Sequence, residues 1–570
     1  MPHLPYPYVF PLLLSIPLLV RYIVLYVSYH IVNIRRRTDA PGKQVPPDLP
    51  PSVPVLGLLY HIFFNGAAFV KRVTTYCGHL TCIRASLLPT APGVFVIQDP
   101  EAVAAMWKHP ALASPVYMYT VGLRRLFGMK ESAIATYTAD DSGPYRKPHP
   151  KSNIAPHNRV DFLTHDSLLR GLTGPGLAPM FQRFQAVLTR EIDNLGIEKE
   201  WTEMPDMLRF FKDHIGRAII TSLVGPSLLE IHPTFQANLW EFDAAVPYII
   251  RGTPRLLYPR AYRARDDLLQ QIQSWYWHAR AQSAETHNLE HDIDSIWGSA
   301  MMRERQQFLL SADKQDDAAL ASADLGLLWT AVTNVVPNAM LAILHISSDA
   351  GLLDRVRASL RDTVRSSATC AFTVDMDRLL RDDLLQSIYA ETLRLHVQSY
   401  VTRCSPHEPV ALGRWWLPQN EVATVSSYAS QMSEMVWNTR DGAHPVTEFW
   451  ADRFLIHPGD PSSGPLRAQG PGAPGQGSMV EGEYPGQAKF TMKGLEGSWV
   501  PYGAGFGACP GRHFAKRIML YTIALFVTQF DVEIRTKKFR MDSLGFGLGT
   551  EKPKDKVVFA LRRRGLEDET

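Results

Sequence analysis

The sequence predicts a mainly α-helical protein with small β-sheets, preceded by one N-terminal transmembrane helix. Three observations predict it: long stretches with apolar residues three and four apart, a few short β-rich pieces, and an apolar run from Tyr8 to Val32. With 570 residues, 45% apolar and 20% charged, the chain is no disordered tail, collagen-like rod or small disulfide scaffold. Its 59 Lys and Arg against 56 Asp and Glu leave a formal charge of +3, too weak a field for wrapping nucleic acid, and no nucleic-acid partner is expected. The cysteines, Cys77, Cys82, Cys370, Cys404 and Cys509, are odd in number and scattered, which reads as reduced thiols in a cytosol-facing protein. Cys77, His79 and Cys82 lack a second ligand pair and read as ordinary packing.

The run Tyr8 to Val32 contains one charge, Arg21, and exceeds the roughly 20 helical residues that span about 30 Å of hydrocarbon. Arg35, Arg36 and Arg37 follow instead of a small-residue cleavage site, so the run is expected to be an uncleaved anchor, residues 1–34, with the later residues in the cytosol. Residues 35–59 form a basic and proline-rich connector in which Pro46, Pro47, Pro50, Pro51 and Pro54 forbid continuous helix.

From residue 60 to 570 a single domain is expected. Helical periodicity runs over Ala178 to Leu195, Arg209 to Leu223, Ala264 to Glu285, Asp324 to Ala350, Gly351 to Val364, Met376 to His396 and Arg512 to Phe530. Strands are expected at Gly93 to Ile97, Arg414 to Leu417, Asp531 to Ile534 and Val557 to Leu561. Gly and Pro crowd His457 to Gln487, which reads as a surface insertion, and Thr136 to Pro156 reads as a polar loop over the body.

The stretch Trp499 to Ala515 carries the chemistry. Gly503, Gly505 and Gly507 lead into Cys509, Pro510 and Gly511 at the start of an apolar helix. Glycines let a flat ligand approach the backbone, and amides at a helix N-terminus stabilise a thiolate. The segment resembles the haem-binding loop of the cytochrome P450 family, Phe-x-x-Gly-x-x-x-Cys-x-Gly. The resemblance implies that Cys509 is the metal ligand and that Tyr502, Gly503, Gly505 and Gly511 shape the cofactor site. Tyr502 stands where the family usually has Phe, and Gly507 where a basic residue commonly contacts a haem propionate.

Further segments fit in order. Glu391 and Arg394, three apart on one helix face, resemble the family's Glu-x-x-Arg, and Arg453 in Asp452-Arg453-Phe454 resembles the arginine that joins them. The resemblance implies a structural role for all three. It also places Arg403 on a strand reaching a propionate, with Arg512 assisting, since a guanidinium binds carboxylate through two parallel hydrogen bonds.

The apolar helix around Trp329 should correspond to the one crossing the distal haem face. Most relatives carry an acid and a Thr there; this chain has Thr333 and Asn334, followed by Pro337, which is expected to kink the helix. The Asn resembles the branch holding sterol 7α-hydroxylases and prostacyclin synthase. Thr333 and Asn334 are the candidate catalytic residues, Asn334 ordering a water for proton delivery, orienting a bound oxygen, or serving only to satisfy carbonyls freed by the proline.

The resemblance implies haem b as cofactor and a monooxygenase that hydroxylates, epoxidises or desaturates a lipophilic small molecule. Electrons would come from NADPH through a separate NADPH–cytochrome P450 reductase, because no flavin or dinucleotide segment is present. The loop form CPGRHFAK resembles filamentous fungal enzymes and points to secondary metabolism, with the protein held by its single span in the endoplasmic reticulum membrane. Alternatives are a reductase-independent peroxide isomerase or dehydratase, a sterol or fatty-acid hydroxylase, and a non-enzymatic haem-binding protein.

Overall fold

A computed structural model describes residues 15–24, 26–27, 31, 46–49, 73, 82–86, 93–112, 114, 116–285, 296–367, 370–413, 415–467 and 487–565. The connector other than residues 46–49, Arg35 to Arg37, Cys77, His79 and most of the 457–487 insertion lie outside them. Near the N-terminus, Ser15–Val24 is an apolar helix whose Ile16, Leu19, Val20 and Ile23 are exposed.

The helices that build the body are α1 (Pro100–Lys108), α2 (Val116–Arg125), α3 (Glu131–Ala139), α4 (Val160–Leu172), α5 (Gly174–Asp193), α6 (Met207–Val224), α7 (Phe235–Ile250), α8 (Pro259–Glu285), α9 (Ala300–Ser311), α10 (Asp317–Ser347), α11 (Ala350–Leu360), α12 (Asp383–His396) and α13 (Arg512–Gln529). The 31-residue α10 is capped by the Asp316 carboxylate, which accepts from Ala319 N at 2.8 Å. Its length and hydropathy suit a membrane span, yet most of its surface is buried: it packs against α6, α8, α9, α11, α12 and α13 and is the core helix of the body. Pro337 sits inside it without ending it.

The principal strands are β1 (Cys82–Ser86), β2 (Gly93–Ile97), β3 (Thr202–Met204), β4 (Val397–Cys404), β5 (Val422–Ser426), β6 (Phe530–Ile534), β7 (Leu548–Thr550) and β8 (Phe559–Arg563). One sheet has the order β1-β2-β5-β4-β7, with β2 and β5 parallel and the other pairs antiparallel; another has the order β6-β8-β3. A large apolar cluster fills the helical mass, and a smaller one lies under the five-stranded sheet.

Several boundaries differ from expectation for local reasons. Met376 to His396 is two helices, because Asp382 accepts from Leu385 N at 2.8 Å and starts α12 afresh after the short Met376–Leu379 turn. The stretch expected as helix to Val364 stops at Leu360, and Val364–Ser367 pairs with Cys370–Val374 as a hairpin. The irregular segment expected from Thr136 begins after Ala139; beyond it Asp140 accepts from Ser142 N at 3.0 Å and from Asp161 N at 2.9 Å, which folds the loop onto α4. Leu455–Ile456 pairs with Lys489–Phe490, so the Gly/Pro-rich insertion leaves and returns at the base of one hairpin.

Candidate functional site

The loop before α13 is wound tightly around Cys509. Gly503 and Gly505 adopt φ of +66° and +65°, a region that favours glycine, and a Cβ at Gly505 would overlap the Trp107 carbonyl. Cys509 N donates to Tyr502 O at 2.9 Å, closing the turn, and Ala515 N donates to Gly511 O at 2.8 Å as α13 begins. The sulfur therefore lies at the first turn of α13, where the backbone N–H groups of Gly511 and Arg512 favour its ionised form. Burial pushes the Cys509 thiol up, while those amides and the Arg512 charge pull it down. Cys509 keeps part of its own surface open, and a sulfur so placed at a helix N-terminus suits ionisation against a metal cation.

Its surroundings suit a large anionic cofactor. Arg403 on β4 is buried, donating through Nη2 to Gly507 O at 2.9 Å and through Nη1 to Thr402 O at 2.8 Å, with its guanidinium 5.4 Å from the Trp107 ring centre. Arg403 thus reaches the very residue, Gly507, whose missing basic side chain departs from the family pattern. Arg512 donates from Nη1 to Cys509 O at 2.9 Å. The ring of Phe506 packs against Tyr145 at 4.4 Å and His165 at 4.9 Å. Among the described residues, two buried ring nitrogens around this edge, Trp107 Nε1 and His165 Nε2, have no hydrogen-bond partner. Two cations, two free ring nitrogens and a sulfur at a helix N-terminus fit an iron porphyrin with its carboxylates, and Arg403, Arg512, Trp107 and His165 are the residues that would hold them.

Behind the loop, Tyr389 of α12 donates its hydroxyl to the Tyr502 hydroxyl at 2.9 Å, so the hydroxyl that distinguishes Tyr502 from Phe has a dedicated partner. Trp499 Nε1 donates to Ala390 O at 3.0 Å, a second tie from the loop to α12. The next residue is Glu391. Its carboxylate accepts from Arg394 Nε at 2.6 Å and Nη2 at 2.8 Å and from Arg453 Nε at 2.9 Å, with all three side chains fully buried. Remaining donors are used: Arg394 Nη1 meets Gln431 O at 2.8 Å, and Arg453 meets Asn438 O and Pro445 O. Burial alone would raise the Glu391 carboxyl, but the two guanidiniums hold it below the usual range. The expected group of three is thus assembled, directly beneath the cysteine loop.

On α10 the outcome differs. Thr333 is buried and donates its hydroxyl to Trp329 O at 2.8 Å, one turn back in its own helix. Its hydroxyl is spent on its own helix inside a buried side chain, which speaks against the catalytic role expected of Thr333. Asn334 is half-buried; its Nδ2 donates to Thr330 O at 3.1 Å and its Oδ1 accepts from Thr550 N at 3.0 Å. Thr330, one turn earlier, is exposed although helices surround α10. This side of α10 is therefore accessible although most of the helix is buried. Tyr119 on α2 is also 40% exposed, yet burial pushes its phenol up to about 12, and the Asp161 and Cys509 charges add to that shift. Tyr119 thus lies within electrostatic reach of Cys509, while Thr330 and Asn334 mark the accessible side of α10.

Sequence reasoning missed Trp107, Tyr145, Asp161, His165 and Tyr119. Each comes from a segment remote from the cysteine loop, and no local spacing marks it.

Comparison with known proteins agrees with this geometry. The cytochrome P450 family model matches residues 228–559. The chain is 31% identical over 570 residues to cytochrome P450 monooxygenase efuG of Hormonema carpetanum, covering 97% of this chain and 96% of that one. Weaker similarity, 26% over 294 residues and 49% of this chain against 52% of the relative, links it to the 7-alpha-hydroxycholest-4-en-3-one 12-alpha-hydroxylase of Oryctolagus cuniculus. The crystal structure of the cytochrome P450DA heme domain superposes with a TM-score of 0.60 at 14% identity, covering 93% of this chain and all of that one, and shares the fold. The chain belongs to the cytochrome P450 family. It is a haem-thiolate monooxygenase that uses haem b and receives electrons from a redox partner.

Proposed function

We propose that this chain is an anchored monooxygenase of fungal secondary metabolism, with Cys509 as the axial thiolate, and that it hydroxylates, epoxidises or desaturates a lipophilic small molecule. The observation that carries the site assignment is the position of Cys509, closed into the Gly503–Gly505 turn and set at the head of α13, where the N-terminal amides favour a thiolate. When bound, a thiolate haem supplies oxygen activation by pushing electron density toward the metal. The protein's share is to exclude water with its helical core, to bind the carboxylate edge through Arg403 and Arg512, and to hold the loop rigid through Tyr389, Trp499 and the Glu391 group.

In this reading residues 1–34 anchor the chain in the endoplasmic reticulum membrane, residues 35–59 connect, and residues 60–570 form one cytosolic catalytic domain with a surface insertion at 457–487. The exposed apolar face of Ser15–Val24 and a core cluster that reaches from Leu123 to Leu561 support it. The electron donor would be NADPH–cytochrome P450 reductase. Co-expression with that reductase and mass analysis of products from the native metabolite extract tests the reading: a mass gain of one oxygen that requires NADPH supports it. Turnover of a lipid hydroperoxide without NADPH, and no oxygenated product with it, would favour an isomerase instead.

A further inference from the structure

Residues 548–552 form a strap whose polar groups are fastened to four different elements. Thr550 N donates to Asn334 Oδ1 at 3.0 Å, and Thr550 Oγ1 accepts from Asn338 Nδ2 at 2.7 Å while donating to Asn334 O at 3.1 Å. Glu551 accepts from Gln398 Nε2 at 2.9 Å and meets His396 Nδ1 at 2.7 Å. Lys552 donates to Asp243 Oδ2 at 2.5 Å, whose other oxygen accepts from Trp329 Nε1 at 3.0 Å. The strand β7 within the strap pairs with β4, the strand that carries Arg403.

The contact with α10 is close. A Cβ at Gly549 would overlap Asn334 Oδ1, so the strap lies flush on that carboxamide and only glycine fits between them. Asn334 sits on the accessible side of α10, and Leu548 and Gly549 keep part of their own surface open. The strap therefore borders the accessible side of α10 that Thr330 and Asn334 present. Both useful atoms of the Asn334 side chain, the oxygen and the nitrogen, are already engaged by backbone.

We propose that Asn334 is a positioning residue: its carboxamide pins the strand Leu548–Thr550 against α10 and so sets one wall of the substrate cavity. It acts through Thr550 rather than by relaying a proton. The pin is a local hydrogen-bond arrangement and stands whatever Cys509 binds; that the wall bounds a substrate cavity rests on the haem-thiolate reading.

The test measures hydrogen exchange of peptides spanning residues 545–552 and the binding of two azoles, imidazole and the bulky clotrimazole, to the purified holoenzyme. For Asn334→Ala, exchange at the Thr550 amide should rise about tenfold and clotrimazole affinity should change at least fivefold, with imidazole affinity within twofold. Thr550→Val keeps the amide but loses the hydroxyl links, and should reproduce the azole shift. Gly549→Ala should do the same from the opposite side. Unchanged exchange in Asn334→Ala would overturn the pin. Faster exchange with unchanged clotrimazole affinity in all three variants would overturn the wall. A change confined to product formed per NADPH in Asn334→Ala would restore the proton-relay role and overturn the proposal.

Discussion

Arg453 donates through Nε to Glu391 Oε1 at 2.9 Å, joining two points 62 residues apart inside a core that neither side chain leaves. Arg394 holds the same carboxylate from one turn along α12. Removing one member strands buried charge, which costs about 3–5 kcal/mol. Arg453→Ala and Arg394→Ala should therefore yield little folded holoprotein, and Arg394→Lys, which restores charge without the planar fork, should recover only part. Chemical denaturation and haem content per polypeptide check this; normal loading in Arg453→Ala would make the group dispensable.

The same pairing has a pH signature. Because Arg394 and Arg453 hold the Glu391 carboxyl below its usual range, its contribution is present above that range and lost as pH falls into the folded-state titration. Acid unfolding should steepen where Glu391 protonates, and a denaturation series from pH 7 downward would show it.

Asp161 titrates the other way. Burial raises it to about 7, against the Ser114 hydrogen bond and the Arg403 and Arg159 charges, with Asp140 adding to the rise. The unfolded chain releases this proton first, so stability falls as pH climbs from about 4 to about 7 and stays reduced above that. Asn at this position keeps an acceptor for Ser114 Oγ, now at 2.9 Å. Asp161→Asn should gain about 2–4 kcal/mol over the parent at pH 8 and little at pH 4; an equal difference at both values would refute the assignment.

The sequence carried the cysteine loop and the Glu391 group because their meaning lies in short spacing: Glu391 to Arg394 is one helical turn, and Cys509 precedes its helix directly. It did not carry Arg403's partner, since Gly507 O is 104 residues away. Nor did it carry Asn334's, because Thr550 N approaches from 216 residues further on. Among the helices that the spacing does not mark, α1 to α4, α7 and α9, the case of α7 is clearest: ten of its residues are buried and Pro247 interrupts the pattern. The strand β5 is buried at every position, so no alternation marks it.

Gly505 offers a test of how closely α1 and the loop meet. Any side chain there confronts the Trp107 carbonyl and a φ of +65°. Gly505→Ala should cost about 2 kcal/mol or more and lower haem retention. Heat denaturation with haem release as the second readout checks it, and an unshifted midpoint would show that the loop can move away.

The apolar helix Ser15–Val24 sets the membrane prediction. Deleting residues 1–37 should shift much of the protein from the membrane pellet to the supernatant while haem loading persists. An undiminished pellet fraction would show that another surface holds the membrane.

A carbon monoxide difference spectrum of the reduced, purified protein bears on the thiolate assignment more directly than any rate. The parent should bind one porphyrin per chain and give the long-wavelength Soret band of a sulfur-ligated haem, and Cys509→Ala should lose it. Persistence of that band without the Cys509 sulfur, or a parent protein that carries no stoichiometric haem, would contradict the account.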